Sequence, residues 1–366
     1  MSYNKGCVTA RSMPFWCVAN TLADPFGAAI LETIDSIEVA KILADAAQKG
    51  LIEYTSFHDD DLVPWDPEHP EDDLDPNSDV YQKLRKIKKI LDDANIKRNM
   101  ATCSLHGNPL FRDGGLTNPD PSIRALAAKK VERTLRIGQF MNVRYYTYWV
   151  ARDGFEVPAV TQWENIYKWL ADGLNHVTDY ITEKKMVNYI GATIEPKPNE
   201  PRGQMFIPTS GHAVGFIYGH LNNPDFWGVN PELLQHESMC LLNSCVAVSF
   251  LCSMNKLRFL HFGCQIKGQF DNDFPPLIGP EGLKETAFMF KALNDFNWKG
   301  IIEYDAHMLR AESDRTEQIA CRKQFIVDCT EALDIAVRLA ERIKAPKSGL
   351  SQSSADLESI RQICNL

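Results

Sequence analysis

The sequence predicts an α/β protein, a (β/α)8 TIM barrel with a short C-terminal tail. Short β-branched and aromatic runs alternate with longer amphipathic stretches along the whole chain, and eight such runs can be counted. No glycine-rich GxGxxG or GxxxxGK[ST] follows any of them, so nothing cradles a nucleotide phosphate and a doubly wound sheet loses ground. At 366 residues the chain is long enough for two average domains or for one large barrel.

In order, the first strand is read at 15–19 (FWCVA), followed by a helix over 36–48. The second strand, 52–57 (IEYTSF), leads into 64–78, a loop because Pro64, Pro67, Pro70 and Pro76 prevent helix and strand alike. A helix over 79–94 connects to strand 98–103 (RNMATC), one over 121–140 to strand 143–149 (VRYYTYW), and one over 162–185 to strand 187–194 (VNYIGATI). Strand 226–230 (FWGVN), helix 232–253, strand 257–262 (LRFLHF), helix 281–296, strand 300–304 (GIIEY) and a long helix near 314–344 complete the series. The barrel is expected over 1–345. The tail, 346–366, opens with a Pro/Gly/Ser linker and ends in a weakly amphipathic segment that reads as a short arm.

Composition narrows the function. With 39 Lys+Arg against 48 Asp+Glu the chain carries a formal charge of −9, so it lacks the basic surface that a nucleic acid or an anionic membrane would call for. A hydrophobic content of 44% is that of a globular protein, and no stretch approaches a membrane span or a signal peptide. The expected location is the cytoplasm. Ten cysteines form no CxxC pair and read as reduced core residues.

Polar residues that end barrel strands converge on one mouth. Here that set is acidic: His58-Asp59-Asp60-Asp61 after strand two, Glu195 and Lys197 with Asn199 and Glu200 after strand five, Glu232 with His236 after strand six. Strand seven carries His261 and leads to Asp271 and Asp273, and strand eight ends in Glu303-Tyr304-Asp305. A single Asp or Glu is usually a solvated loop acid or a helix cap. So many in one cavity would repel unless cations neutralised them, and carboxylates with a few imidazoles suit Mg, Mn or Co. Lys197 shares the face of Glu195 and could hold a substrate oxygen or simply pair with the acids; Trp16 and Trp149 could flank a sugar-like ring or fill the barrel.

The segments MPFWCVANTLADPFG (13–27), FHDDDLVPW (57–65), NPLFRDGG (108–115) and above all IEPKPNEPRG (194–203) resemble the xylose isomerase family in its shorter, Actinobacteria-type class, over roughly residues 10–345. That resemblance implies a TIM barrel with two divalent cations that interconverts an aldose and its ketose by a metal-assisted hydride shift. It implies Glu195, Glu232 and Asp305 as ligands of a first metal, Glu232 as the bridge, and Asp271 and Asp273 in the second site. Lys197 matches the lysine that binds the sugar carbonyl oxygen, and His58 with Asp61 the pair that opens the sugar ring. Trp16, Trp149, Thr102, His106 and His307 are expected around the substrate. Phe26 matches a phenylalanine that reaches a neighbouring subunit's site, which implies a homodimer or homotetramer.

The departures from the family pattern are specific. His261 stands where the family has an aspartate ligand, and Gly263 where it has asparagine. Glu232 and His236 are four apart, where the family spaces them by three. His106 replaces a phenylalanine, Asn20 a tryptophan and His307 a lysine, which makes the pocket more polar. Glu195, Glu232, His261 and Asp305 resemble the Glu, Asp, His, Glu single-metal sites of ketose 3-epimerases. The expectation is one tight metal, Mn, Co or Mg, and a weak or absent second. The leading reading is a divalent-metal isomerase of a sugar-like carbonyl compound. Its rivals are a single-metal epimerase or lyase on a modified sugar and a non-catalytic sugar-binding relic.

Overall fold

The computed structural model describes residues 6–21, 29–68, 74–277, 279–308, 317–344 and 348–365, the side chains of 279–281 excepted. Phe26 lies outside the described residues. The chain starts with β1 (Val8–Ser12) and turns at once into the short helix α1 (Phe15–Ala19). This corrects the strand expected at 15–19, and the cause is Pro14. Met13 N–H still donates across to Tyr54 O, but Pro14 has no N–H to continue the ladder, and a helical turn starts directly after it.

Helix α2 (Ser36–Gln48) is capped by the Asp35 carboxylate, which accepts from Ile37 N–H. Then come β2 (Tyr54–His58), α3 (Asp59–Leu62), α4 (Asp79–Asp93), β3 (Lys97–Thr102), α5 (Pro121–Met141) and β4 (Val143–Trp149). Asp120 caps α5 and Pro121 sits in its first turn, where a missing N–H costs nothing. The chain continues with β5 (Gly154–Phe155), α6 (Trp163–Glu183), β6 (Gly191–Glu195), β7 (Gln204–Met205), α7 (Ser210–His220) and β8 (Trp227–Val229). It ends with α8 (His236–Met239), α9 (Ser244–Ser253), β9 (Leu260–Phe262), α10 (Gly279–Asp295), β10 (Gly300–Tyr304), α11 (Gln318–Arg342) and α12 (Gln352–Cys364). The helix expected over 232–253 is therefore two, separated by a turn after which Asn243 caps α9. Helix α12 docks rather than reaching away: Ile363 is buried with Ala287, Leu339 and Ile343, and Arg342 donates to Ile363 O.

Eight parallel strands form one sheet in the order β8-β6-β4-β3-β2-β1-β10-β9. Its two edges meet through bridges from Val229 to Leu257 and from Glu232 to His261, which closes a (β/α)8 barrel. β5 and β7 form a separate antiparallel pair. The main core lies between the sheet and the helices. Ala10, Met100, Phe259 and Ile301 form a smaller apolar cluster. Because side chains two apart share a strand face, Ser12, His261 and Glu303 stand one layer above Ala10, Phe259 and Ile301 inside the barrel. Asp305, two beyond Glu303, comes next toward the mouth.

Candidate active site

At the C-terminal ends of the strands lies a cavity of about 280 Å3. It is lined by Trp16, His58, Met100, Thr102, His106, Trp149, Glu195, Lys197, Glu232, His236, Asp271, Asp273, Asp305 and His307. Of the residues expected there, Asp61 and His261 stand directly behind this lining. Trp16 arrives from α1, one turn past β1, and its Nε1–H donates to Asp305 Oδ1 at 2.8 Å.

His58 ends β2 and caps α3. Its Nδ1 lies 3.1 Å from Asp61 Oδ2, which also accepts the His58 backbone N–H at 2.6 Å. Burial acts to lower the His58 pKa, but Asp61 outweighs it and the net shift is upward. Asp59 and Asp60 do not join the pocket acids. Asp59 is fully buried and accepts from Lys130 Nζ and Arg133 Nη1, each at 2.6 Å, and from Ser104 N–H at 2.9 Å. These contacts pin the end of β2 to α5. His106 packs edge-on to Trp149 with ring centroids 5.1 Å apart, and burial pushes its pKa down to about 3.

The acids and imidazoles form three overlapping groups whose ligand atoms lie within 4.8 Å of one another: Glu195 with His261 and Asp305, Glu195 with Glu232 and His236, and Glu232 with Asp273 and Asp305. Glu195 Oε2 accepts from Asn230 Nδ2 at 3.0 Å. The extra residue between Glu232 and His236 is absorbed at Gln235, whose φ of −113° and ψ of −84° belong to no regular element. His236 thus reaches the site, with Nδ1 donating to Pro196 O at 2.9 Å and Nε2 lying 2.6 Å from Glu232 Oε2. The carboxamide of Gln235 and the Asp305 carbonyl close the space beside Gly263, where a Cβ would lie 2.4 Å from Gln235 Oε1 and 2.5 Å from Asp305 O, and Gln235 Nε2 donates to Asp273 Oδ1 at 3.2 Å.

Lys197 pairs with Asp271, Nζ to Oδ2 at 2.7 Å. Burial raises the Asp271 pKa, but Lys197 and His236 hold it well below the usual carboxylate range. Glu232 goes the other way: burial pushes it up to about 8, with Asp305 and Asp271 adding to the rise and His236 opposing it. Asp273 is raised too, by burial and then by Asp271 and Glu232. The protein's own cations therefore do not balance this acid cluster. Glu232 Oε1, Asp271 Oδ1 and His261 Nδ1 are buried without a hydrogen-bond partner. Orphaned carboxylate oxygens and an orphaned imidazole nitrogen at the barrel mouth are donors of the kind a divalent cation takes, so the residues fit such a metal.

Sequence reasoning passed over the residues beneath the site. Ser12 was hidden by the misplaced first strand, and Glu303 was read only as one more strand-end acid. Its two-residue spacing from Asp305 is the signal that places both on the barrel's inner face.

A closed parallel barrel with an acid-imidazole pocket at its C-terminal mouth is a TIM-barrel enzyme. No protein-family model matches the chain. It is 35% identical over 299 residues to the xylose isomerase of Thermus thermophilus, covering 82% of this chain and 73% of that protein. The chain belongs to the xylose isomerase family, and with it is an enzyme acting on sugars. In fold it is similar to an L-ribulose 3-epimerase (TM-score 0.60, 14% identity, 92% of this chain and 98% of the other). It is likewise similar to a putative xylose isomerase from Rhodospirillum rubrum (TM-score 0.61, 13% identity, 88% and 99%).

Proposed function

We propose that the enzyme is a divalent-metal-dependent isomerase that interconverts the aldose and ketose forms of a sugar or sugar-like polyhydroxy carbonyl compound. The observation that carries this reading is the pair of overlapping groups, Glu195 with His261 and Asp305 and Glu232 with Asp273 and Asp305, with their orphaned atoms, at the base of a pocket walled by Trp16 and Trp149. Bound there, a Mn, Co or Mg ion would polarise a carbonyl and its neighbouring hydroxyl. One tight site is the reading, because His261 stands where the family has an aspartate, which leaves one negative charge fewer to hold two dications.

The chain's own groups have separate tasks. His58, held by Asp61 through Nδ1, presents Nε2 for proton transfer at a sugar ring oxygen. Lys197, raised in pKa because Asp271 and Asp273 outweigh burial, is a cation at neutral pH and binds the substrate carbonyl oxygen. Thr102 and His307 add polar contacts at the pocket edge, and neutral His106 can accept a hydrogen bond from a substrate hydroxyl. The two tryptophans keep water from the reacting carbons.

A second reading, an epimerase that removes a proton beside a carbonyl and returns it to the other face, is favoured by His261 among the ligands. Incubating a panel of aldoses and ketoses with Mn(II), Co(II) or Mg(II) in D2O separates the two. Isomerisation without deuterium uptake supports a hydride shift, whereas epimerisation with uptake selects the second reading. Turnover that persists in metal-free protein would overturn both, and metal binding without any turnover would leave a sugar-binding relic.

We further propose a cytoplasmic homodimer or homotetramer. The described residues form no disulfide, as suits a reducing compartment, and Val246, Phe250 and Met254 form an exposed apolar stripe along α9 and its C-cap. Among the described residues no helix is long and apolar enough to cross a membrane. A monomer in light scattering at micromolar concentration would exclude the oligomer.

A further inference from the structure

Below the carboxylates that face the pocket lies a second polar layer from five strands. Ser12 ends β1, Ser56 lies in β2, Asn99 in β3, His261 in β9 and Glu303 in β10, and all are buried. Glu303 is at its centre. Its Oε2 accepts from Ser12 Oγ at 2.5 Å, from Ser56 Oγ, and from Asn99 Nδ2 at 3.2 Å. Its Oε1 lies 3.1 Å from His261 Nε2. The strand register fixes the set, because Glu303 is opposite Ser12 on one side and His261 on the other.

The other nitrogen of His261 has no hydrogen bond. Nδ1 is buried 3.1 Å from Asp305 Oδ2 and 3.6 Å from Glu195 Oε2, inside the group of candidate ligands. A neutral imidazole carries one proton, so the partner at one nitrogen decides which nitrogen offers a lone pair. A carboxylate held by three donors on one oxygen has its second oxygen free to take an N–H. His261 then has its proton on Nε2 and its lone pair on Nδ1.

We propose that Glu303 is a positioning residue that makes His261 a metal ligand through Nδ1, with Ser12, Ser56 and Asn99 holding Glu303 in place. The inference rests on the metal reading above. It also separates the two imidazoles: His236 donates from Nδ1 to Pro196 O and therefore offers Nε2, the opposite nitrogen. Each ring is oriented by what it touches on the side away from the pocket, as in a carboxylate-histidine-metal arrangement. Glu303 itself touches neither cavity nor substrate.

The test is calorimetric titration with Mn(II) of the wild type and of Glu303→Gln, an isosteric change, together with NMR of the wild type labelled with 15N-histidine and loaded with Zn(II). The expected results are a loss of about 10- to 100-fold in Mn(II) affinity in the variant, and a His261 whose Nδ1 responds to metal while Nε2 keeps its proton. Unchanged affinity in a folded Glu303→Gln, or metal bound through Nε2 of His261, would overturn the proposal. Should the variant fail to fold, the wild-type spectrum alone decides. A wild type that takes up no Mn(II) overturns the metal reading, and this inference with it.

Discussion

Single side chains in this pocket are held in protonation states that a cation would change. Glu232 is pushed up to about 8 by burial, and His236 and His261 are raised because their carboxylate neighbours outweigh burial. At neutral pH Glu232 carries a proton that a metal must displace. Metal binding at Glu232 is therefore expected to release a proton, with affinity rising by up to roughly tenfold per pH unit as pH climbs toward 8 and that contribution levelling above it. Titrations in two buffers of different ionisation enthalpy measure this directly, and zero net release would contradict the charge assignment. The Gln235 and Gly263 pair gives a second expectation at this scale. An asparagine at 263 would drive its Cβ into Gln235 Oε1, so Gly263→Asn alone should destabilise by about 1–3 kcal/mol, as overpacking does. Removing Gln235 in the same chain should recover only part of that in thermal melts, because the Cβ would still lie 2.5 Å from the Asp305 backbone O. Additive losses would show that the two positions do not share one space.

At the scale of elements, the ion cluster behind His58 is where one substitution would do the most damage. Asp59, Lys130 and Arg133 are fully buried, so Asp59→Ala would leave two buried cations with the part-exposed Asp60 as their one remaining carboxylate partner and should cost about 3 kcal/mol in denaturant unfolding. Burial raises the Asp59 pKa, but Lys130 and Arg133 outweigh it and the folded value is lowered. Its contribution is thus present at neutral pH and lost only as pH falls through that lowered value; a variant as stable as wild type would refute the role. Most elements were legible because period and capping agree. The strand at 300–304 and the helix at 36–48 match the expected ranges residue for residue. FWCVA failed because five apolar residues fit a buried strand or a helical turn equally, and only Pro14 ends the ladder. Helix α7 was missed because SGHAVGFIYGH carries three glycines and hardly any polar face to show a period. The pocket residues were legible from their strand-end positions and the family resemblance. Glu303 and Gln235 were not, since their partners are set by barrel register and by a loop insertion that no linear pattern reveals.

At the scale of the molecule, the barrel's circumference is uneven. Most neighbouring strands share several paired residues, as β4 and β6 do from Tyr145 opposite Gly191 to Trp149 opposite Glu195. Between β8 and β9 there are two isolated bridges, and one of them joins Glu232 to His261. Each belongs to a candidate ligand group that also contains Asp305, His261 with Glu195 and Glu232 with Asp273. An ion held by both would act as a clasp across this thinly paired seam, and binding would be felt as mechanical closure as well as chemistry. Hydrogen exchange followed by mass spectrometry should show it. Adding Mn(II) should slow exchange at Val229 N–H, bonded to Lys256 O, and His261 N–H, bonded to Pro231 O, more than anywhere between β3 and β4. Protection spread evenly around the barrel would mean the seam is already shut without it. If the seam does respond, an enzyme deprived of its ion would come apart along one line of the barrel, starting beside its own active site.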